Sequence, residues 1–319
     1  PLIGASASTA ANSRVQVAIN HSTLEHSGYL ALSINDANAN LRSTLSVANS
    51  TIRNNASSGI VVGSGLNDLV LDQVTVVGNG SDGANISSDR AVTVRDSIFD
   101  SNGGGGLAAS SPNIVVTDSD FLGNVTGLSA GGGALQITGN AFSGNTDYHA
   151  TFTPAGQFTL SGNTYTAGAK LGFGGTVTNS AIVFDQADNT HVILSAFTIE
   201  TGSSLTIDPG VVVKSAAVGY WATNLLVNGT LRAIGTASEP VILTSMLDDS
   251  YGGDTNGDGD ATLPGAGNWN GIQLGDGGSL TFDYVLARYG GHQIYGYGGP
   301  HPLIGASAST AANSRVQVA

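Results

Sequence analysis

The chain has 319 residues, and only 10% of them are charged, against roughly 25% in an ordinary globular domain. A hydrophobic fraction of 40% argues against disorder, and 46 glycines with few helix formers favour an all-β fold. The net charge of −13 argues against nucleic acid as a partner, because a phosphate backbone requires clustered lysine and arginine, and it suits divalent cations. The absence of cysteine excludes disulfides and thiolate metal sites. No apolar run approaches the ~18 residues of a membrane span.

A short phrase recurs along the first half of the chain. It consists of a β-rich run, a polar pair, an apolar residue, two small or polar residues and then asparagine. The clearest copies are 45–55, 70–79, 92–102, 115–124 and 135–145, with degenerate copies at 15–27 and 158–168. A period of about 21–25 residues with alternating strands and no helical segment predicts a parallel β-helix, in which each period is one coil. The alternative, a β-sandwich with irregular hairpins, would rarely produce five copies in one register.

Equivalent residues of successive coils are expected to stack, about 4.8 Å apart. The predicted inward apolar ladder is Ile52, Val76, Phe99, Phe121 and Phe142. The predicted polar ladder is Asn55, Asn79, Asn102, Asn124 and Asn145. We place these asparagines at a tight turn, because asparagine tolerates left-handed backbone and its amide can bond to the next coil.

The second half of the chain is less regular but still reads as short strands separated by glycine or asparagine turns. We therefore predict β-helix coils with the asparagine ladder over residues 1–200 and continuing coils over 201–301. The second group carries an inserted acidic loop at 248–265. Residues 302–319 are interpreted as the start of a further repeat.

The two ends of the sequence are identical: residues 1–18 and 302–319 agree at all 18 positions, at an offset of 301. This favours a tandem array of 301-residue units, each adding ~65 Å at one coil per ~22 residues. An engineered duplication is one alternative. A discrete subunit whose terminal strand mimics that of its neighbour is another, and both stay open. Stacking of units end to end would also cover open solenoid edges.

The acidic loop, residues 248–265, contains a calcium-type motif. Side-chain oxygens fall at alternate positions: Asp254, Asn256, Asp258 and Asp260. Gly257 and Gly259 allow the loop to curl, so the motif is like the first half of an EF-hand loop. The glutamate expected at the twelfth position is replaced by Gly265, and Asp248 and Asp249 are candidates to complete the ligand set. We expect structural Ca²⁺ here, the alternative being a solvated acidic loop.

Aromatic residues in the second half are candidates for stacking on sugars or for packing between coils, and packing is favoured. They are Trp221, Trp269, Tyr289, Tyr295 and Tyr297. A polysaccharide lyase or hydrolase would require clustered aspartate, histidine and arginine or lysine motifs. The sequence lacks such clusters, so we expect no catalytic residues.

The segment 205–245, followed by the acidic motif 248–260 and by 267–272, resembles a cassette of large secreted bacterial right-handed β-helix repeat proteins. Those proteins are mostly adhesin-like or surface-associated. The resemblance implies a right-handed parallel β-helix and an extracellular or cell-surface location.

The expected function is therefore a structural, non-catalytic repeat unit of an extracellular fibre. Its main expected partner is a further copy of itself. The alternatives are a carbohydrate-binding or adhesive module, with glycans as partners, and less favourably a polysaccharide lyase or hydrolase.

Overall fold

The computed structural model describes residues 1–7, 14–36, 43–65, 68–168, 170–185, 189–216, 224–291, 302–306 and 317–318. Every regular element within these ranges is a β-strand, and no helix there is long and apolar enough to cross a membrane. The chain divides into two compact units, the first made of residues 1–151 and 159–169 and the second of 152–158 and 170–319. The division at residue 200 marks a change in sequence regularity and stays a prediction.

Among the described residues, seventeen short strands run through the first unit, of which the fifteenth and sixteenth cross into the second. Their bounds are β1 Ile3–Ala7, β2 Gln16–Asn20, β3 Thr23–Glu25, β4 Leu32–Asp36, β5 Thr44–Arg53, β6 Ile60–Val62, β7 Asp68–Val77, β8 Ala84–Ser87, β9 Ala91–Arg95, β10 Ile98–Asp100, β11 Leu107–Thr117, β12 Asp120–Leu122, β13 Thr126–Thr138, β14 Ala141–Ser143, β15 Tyr148–Gly156, β16 Phe158–Ser161 and β17 Thr164–Tyr165. Strands one coil apart pair in parallel, so equivalent residues of neighbouring coils become Cα partners.

The inward ladder is a continuous column of side chains. Ile52 pairs with Val76, Val76 with Phe99, and the register continues through Phe121 to Phe142. The phenylalanine rings are nearly parallel, with centroids 5.2 Å and 5.0 Å apart, and Tyr165 extends the stack by another 5.1 Å. The parallel β-helix predicted from the repeats is thereby confirmed.

The five asparagines form a hydrogen-bonded ladder inside the first unit, and each is at most 5% exposed. In the first four, the amide Nδ2 donates to the Oδ1 of the asparagine in the next coil, over 2.8 Å from Asn55 to Asn79 and 3.0 Å from Asn79 to Asn102. The Oδ1 also accepts the backbone N–H of the preceding asparagine, as Asn102 does from Asn79 at 3.2 Å. Ser27, the end of the degenerate first copy, donates its N–H to Asn55 at 2.9 Å.

The left-handed backbone lies one residue earlier than the sequence predicts. Positive φ angles occur at Asn54, Gly78, Ser101, Gly123 and Gly144, each directly before a ladder asparagine. The bend residue therefore turns the chain, and the asparagine that follows it is free to point its amide inward. Because one residue makes the bend and the next makes the hydrogen bonds, the bend position varies between glycine, asparagine and serine while the next position stays asparagine.

A second polar ladder, which the sequence analysis missed, runs parallel to the first. Ser97, Ser119, Asn140 and Asn163 each accept, through a side-chain oxygen, a backbone N–H from the preceding coil at 3.0–3.1 Å. Each again follows a residue with positive φ: Asp96, Asp118, Gly139 and Gly162. Because this ladder mixes serine and asparagine, no single repeated residue type marks it in the sequence.

The second unit continues the same construction with thirteen further described strands. Their bounds are β18 Lys170–Val177, β19 Ala181–Phe184, β20 Thr190–Ile199, β21 Ser204–Ile207, β22 Val212–Ser215, β23 Asn224–Val227, β24 Thr230–Ile234, β25 Val241–Ser245, β26 Gly271–Leu274, β27 Ser279–Asp283, β28 Val285–Ala287, β29 Ile304–Ala306 and β30 Gln317–Val318. One parallel sheet has the order β19–β21–β24–β27–β30. On another face β18 pairs with β20, β20 with β22 and β22 with β25.

Substitution of Asn102 by alanine tests the asparagine ladder. The change leaves the N–H and Nδ2 of Asn79 without their acceptor and the carbonyl of Val76 without its donor, all in buried positions. We expect the free energy of unfolding to fall by about 3 kcal/mol. Urea unfolding followed by circular dichroism measures it. Asn113→Ala, at an exposed position, is the matched control and should change the value by less than about 0.5 kcal/mol.

Acid should destabilise the second unit through His191, which is 1% exposed and lies against the rings of Phe173 and Phe184. Burial lowers the pKa of His191 to about 3, although a backbone hydrogen bond at Asn189 raises it. Below pH 6.5 the His191 imidazole is protonated in the unfolded chain but stays neutral in the folded chain until the pH approaches its lowered pKa. Stability is therefore lost as the pH falls, by about 3 kcal/mol at pH 4.

His191→Phe keeps the ring and removes the titration, so the variant should lose less stability than the parent between pH 7 and pH 4. His26→Asn, at a side chain that is 69% exposed, should retain the parent's acid dependence. Equal acid sensitivity of His191→Phe and the parent would contradict the assignment.

Candidate functional site

The acidic loop is fastened to the second unit by the only two lysines of the chain. Lys214, on β22, is fully buried, and its Nζ donates to the carbonyl of Gly253 at 2.7 Å and to Oγ1 of Thr255 at 2.6 Å. Lys170, on β18, donates to the carbonyl of Thr255 at 3.1 Å. Both lysines therefore hold one turn of the loop. Burial lowers the pKa of Lys214, and the nearby carboxylates of Asp249 and Asp248 oppose that shift.

Between the two lysines the loop also contacts the intervening strand. The hydroxyl of Thr190, on β20, donates to the carbonyl of Gly252 at 3.2 Å. Gly252 has a φ of 67°, and a Cβ there would lie 2.6 Å from Thr190 Oγ1. Because β18, β20 and β22 are successive neighbours, residues 252–255 cross three coils, and a glycine is needed where the backbone comes closest.

Asp248 secures the start of the acidic loop. It is fully buried, one carboxylate oxygen accepts from Thr244 at 2.6 Å, and the other accepts from the Ser250 hydroxyl at 2.5 Å. Arg288 lies 3.7 Å away. Burial would raise the pKa of Asp248, but the hydrogen bonds from Ser250 and Thr244 and the charge of Arg288 lower it. This carboxylate holds the loop to β25 and does not join the carboxylates further along.

Three carboxylates converge in the acidic loop: oxygens of Asp249, Asp254 and Asp258 lie within 4.8 Å of one another. Asp254 accepts the backbone N–H groups of Gly257 at 2.8 Å, Asp258 at 3.1 Å and Gly259 at 2.8 Å. These hydrogen bonds, led by that of Gly259, lower the pKa of Asp254. The pKa of Asp249 is raised by desolvation and by repulsion from Asp254 and Asp258. The group is therefore a concentration of like charge, which a cation would relieve.

Three side-chain oxygens around this group are shielded from solvent and accept no hydrogen bond from the described residues: Oδ1 of Asp249, of Asn256 and of Asp258. The Asn256 amide nitrogen donates to Thr262 at 3.0 Å, which orients the amide. The hydroxyl of Thr262 also donates to Asp258 Oδ2. The oxygens left over are hard donors of the type that Ca²⁺ prefers.

The predicted metal ligands thus separate. Asp249, Asp254 and Asp258 come together, with Asn256 between them in the chain. Asp260 lies outside the 4.8 Å group, and Asp248 is taken up by Thr244 and Ser250. Sequence reasoning missed the lysine anchors, although a chain with only two lysines offered a signal in their rarity.

The described aromatic candidates are Trp269 and Tyr289, and both contact Arg288. Trp269 is 6% exposed and its indole N–H donates to the carbonyl of Arg288 at 2.9 Å. The Arg288 guanidinium lies over the ring of Tyr289, 4.5 Å from its centroid. Trp221, Tyr295 and Tyr297 lie outside the described residues.

The two copies of the 18-residue segment use opposite strand edges. In the first copy Ile3 of β1 pairs with Leu32 in the following coil, and its N–H donates to Ala31 at 2.9 Å. In the second copy Ile304 of β29 pairs with Ile272 in the preceding coil, whose N–H donates to the carbonyl of Leu303 at 2.8 Å. Successive peptide groups of a strand point to opposite sides, so the two pairings are compatible on one strand.

The same relation holds further along the duplicated segment. Gln16 of β2 pairs with Thr44 in the coil after it, whereas its duplicate Gln317 of β30 pairs with Ser279 in the coil before it. The same sequence thus forms strands that pair with a following coil in the first copy and with a preceding coil in the second.

Side-chain packing around the second copy is close. Leu303 lies over Gly290, where a Cβ would come 2.4 Å from Leu303 Cδ1 and 2.9 Å from the Trp269 ring. The duplicate of Leu303 in the first copy, Leu2, is 52% exposed. We call Trp269, Gly290 and the edge of β26 the seam.

Removal of the Lys214 ammonium should loosen the acidic loop. In Lys214→Met the buried Thr255 hydroxyl and the Gly253 carbonyl lose their donor, so the free energy of unfolding should fall by about 2–3 kcal/mol. Arg232→Met, at an exposed cation of β24, is the matched control. Urea unfolding and hydrogen exchange of residues 252–255 check the result, and unchanged protection of the loop would contradict it.

Comparison with protein families gives two matches. The family described as right handed beta helix region matches residues 30–197, just over half of the chain, and the family described as pectate-lyase like beta helix domain matches residues 175–296. No curated protein and no solved structure matched.

Proposed function

The chain belongs to the right-handed β-helix family, and on that premise we propose that it is a structural, non-catalytic repeat unit of an extracellular filament. The filament would be built from tandem or end-to-end β-helices. The observation that carries the proposal is the pairing of the duplicated segment. Because β29 pairs backward through one edge and β1 pairs forward through the other, one copy in an array is able to make both pairings at once. The extracellular location rests on the resemblance of residues 205–272 to secreted surface proteins.

In an array, a strand that makes both of these pairings has no open edge at the junction. Unpaired edges are sites of uncontrolled association, and continuing the chain covers them. Each unit then contacts only its neighbours, as in other solenoids, and length is set by the number of units.

A polysaccharide-degrading enzyme is the second candidate, favoured by the carboxylates beside Lys214 and by the description of the second family. Lys214 opposes it, because the ammonium is enclosed and already bonded to Gly253 and Thr255. Release of reducing or unsaturated sugars from acidic polysaccharides tests this candidate. A glycan array tests the third, an adhesive module, for which the buried Trp269 offers little free surface.

A chain of two units, residues 1–301 followed by 1–319, tests the filament proposal. Electron microscopy should show one continuous rod that is ~65 Å longer than that of the single chain. Gly290→Val in the first 301-residue repeat of this chain should interrupt the rod, because the valine side chain would occupy the place of Leu303. Gly28→Val, where a Cβ meets nothing within 4 Å, is the matched control. Two separate particles joined by a flexible linker in the parent chain would contradict the proposal.

We further propose that the acidic loop binds Ca²⁺ in a structural role, with Asp249, Asp254, Asn256 and Asp258 as ligands. The support is the convergence of three carboxylates with three shielded oxygens that accept no hydrogen bond from the described part of the chain. Gly259 stands at the sixth position from Asp254, where an EF-hand loop requires glycine, and its φ is 64°. The cation would offset the desolvation and the repulsion from Asp254 that raise the pKa of Asp249.

Calcium should raise the melting temperature and a chelator should reverse the rise. At a calcium concentration 100 times the Kd, the stabilisation amounts to about 2.7 kcal/mol. Asp258→Asn and Asp249→Asn should abolish the shift, and Asp260→Asn should retain it, because Asp260 lies outside the carboxylate group. Melting curves that coincide in calcium and in chelator would count against the site.

A further inference from the structure

We propose that the seam is a docking site for the first strand of a second copy of this chain, and that residues 302–306 occupy this site from within the same chain. The inference rests on the proposed filament function and adds to it a defined acceptor, a defined donor and an internal competitor. The acceptor is the edge of β26 with Trp269 and Gly290. The donor is the outer edge of β1.

The donor carries the same backbone carbonyl that the acceptor bonds in the internal copy. In the chain itself Ile272 donates its N–H to the carbonyl of Leu303. The corresponding carbonyl in the first copy belongs to Leu2. The N–H of Ile3 is already bonded to Ala31 on the side of β4. β1 therefore keeps its place in its own coil while its other edge meets β26 of a neighbour.

The side chains fit in the same way. Leu303 fills the space over Gly290 and against Trp269, and Gly290 is the residue that leaves this space open. Leu2 has the same neighbours in sequence and is 52% exposed. Each chain therefore has an exposed leucine directly before β1 and, over Gly290, the place that the duplicate leucine occupies.

The internal copy has the advantage of its tether. A segment linked to its acceptor competes at an effective concentration of roughly millimolar, so it excludes an identical segment of another chain at micromolar concentration. The parent chain is therefore expected to be monomeric. Weakening the internal copy alone should release the acceptor for a second chain.

The duplication allows a matched experiment with the full chain. Leu303→Asp places a carboxylate against Trp269 and weakens only the internal copy. Leu2→Asp makes the same change in the donor, and the double variant makes both. Sedimentation velocity should show a weight-average mass at least double that of the monomer for Leu303→Asp, rising with concentration. Leu2→Asp and the double variant should sediment like the parent.

A disulfide test reads out the register directly and uses the absence of native cysteine. Gln273 and Gly305 are Cα partners, and Gly4 is the duplicate of Gly305. Neighbouring strands are ~4.8 Å apart, within the Cα separation of a disulfide. A chain with Gln273→Cys mixed with a chain with Gly4→Cys should form a mixed dimer, quickly on the Leu303→Asp background and slowly on the parent background. Neither chain alone should form a disulfide-linked dimer at a comparable rate.

Association of the double variant as strong as that of Leu303→Asp would overturn the inference, because it would place the contact elsewhere. A folded, monomeric Leu303→Asp chain without the mixed disulfide would also overturn it. If Leu303→Asp fails to fold, a lack of the mixed disulfide on the parent background decides against the inference. None of these results affects the two-unit chain, in which the seam is closed covalently, so the filament proposal fails or survives separately.

Discussion

Each buried asparagine of the ladder needs a neighbour in the coil above and another in the coil below. Its Oδ1 accepts from one coil and its Nδ2 donates to the other, and an unsatisfied buried amide costs about 1–3 kcal/mol. The ladder is therefore ended by other polar groups. Ser27 closes one end, donating its N–H to Asn55. At the other end Asn145 lies 3.3 Å from Nδ1 of His149, whose Nε2 lies 2.7 Å from the carbonyl of Thr166.

The backbone obeys the same requirement at the level of whole strands. A coil with a partner on one side only has a row of unbonded peptide groups on the other. The duplicated segment meets this requirement from both directions, since β1 pairs with the coil that follows and β29 with the coil that precedes. In both the ladder and the seam, the hydrogen-bonding groups of one coil find their partners in the adjacent coil. The acidic loop adds to these contacts by crossing three coils of the second unit and bonding to Lys170, Thr190 and Lys214.

The fold could be predicted from the sequence because stacked coils place equivalent residues at a regular spacing along the chain. Asn55, Asn79 and Asn102 recur at regular spacing, so the parallel coils and the stacked column beneath them were predictable. Other features leave no local trace. The lysine contacts join residues 41 and 85 positions apart, and the separation of Asp248 from Asp249 depends on which carboxylate reaches Thr244. The identity of residues 1–18 and 302–319 suggested continuity, but only the pairing with Ile272 and Leu32 identifies the edges.

A cryo-electron microscopy structure of the two-unit chain at side-chain resolution tests the central claim, that register continues through the junction. We expect Ile304 to pair with Ile272 on one side and, on the other, with the leucine of the second 301-residue repeat that corresponds to Leu32. Leu303 should remain packed on Gly290 and Trp269. A junction in which the outer edge of β29 stays unpaired, or pairs with the second unit in another register, would contradict it.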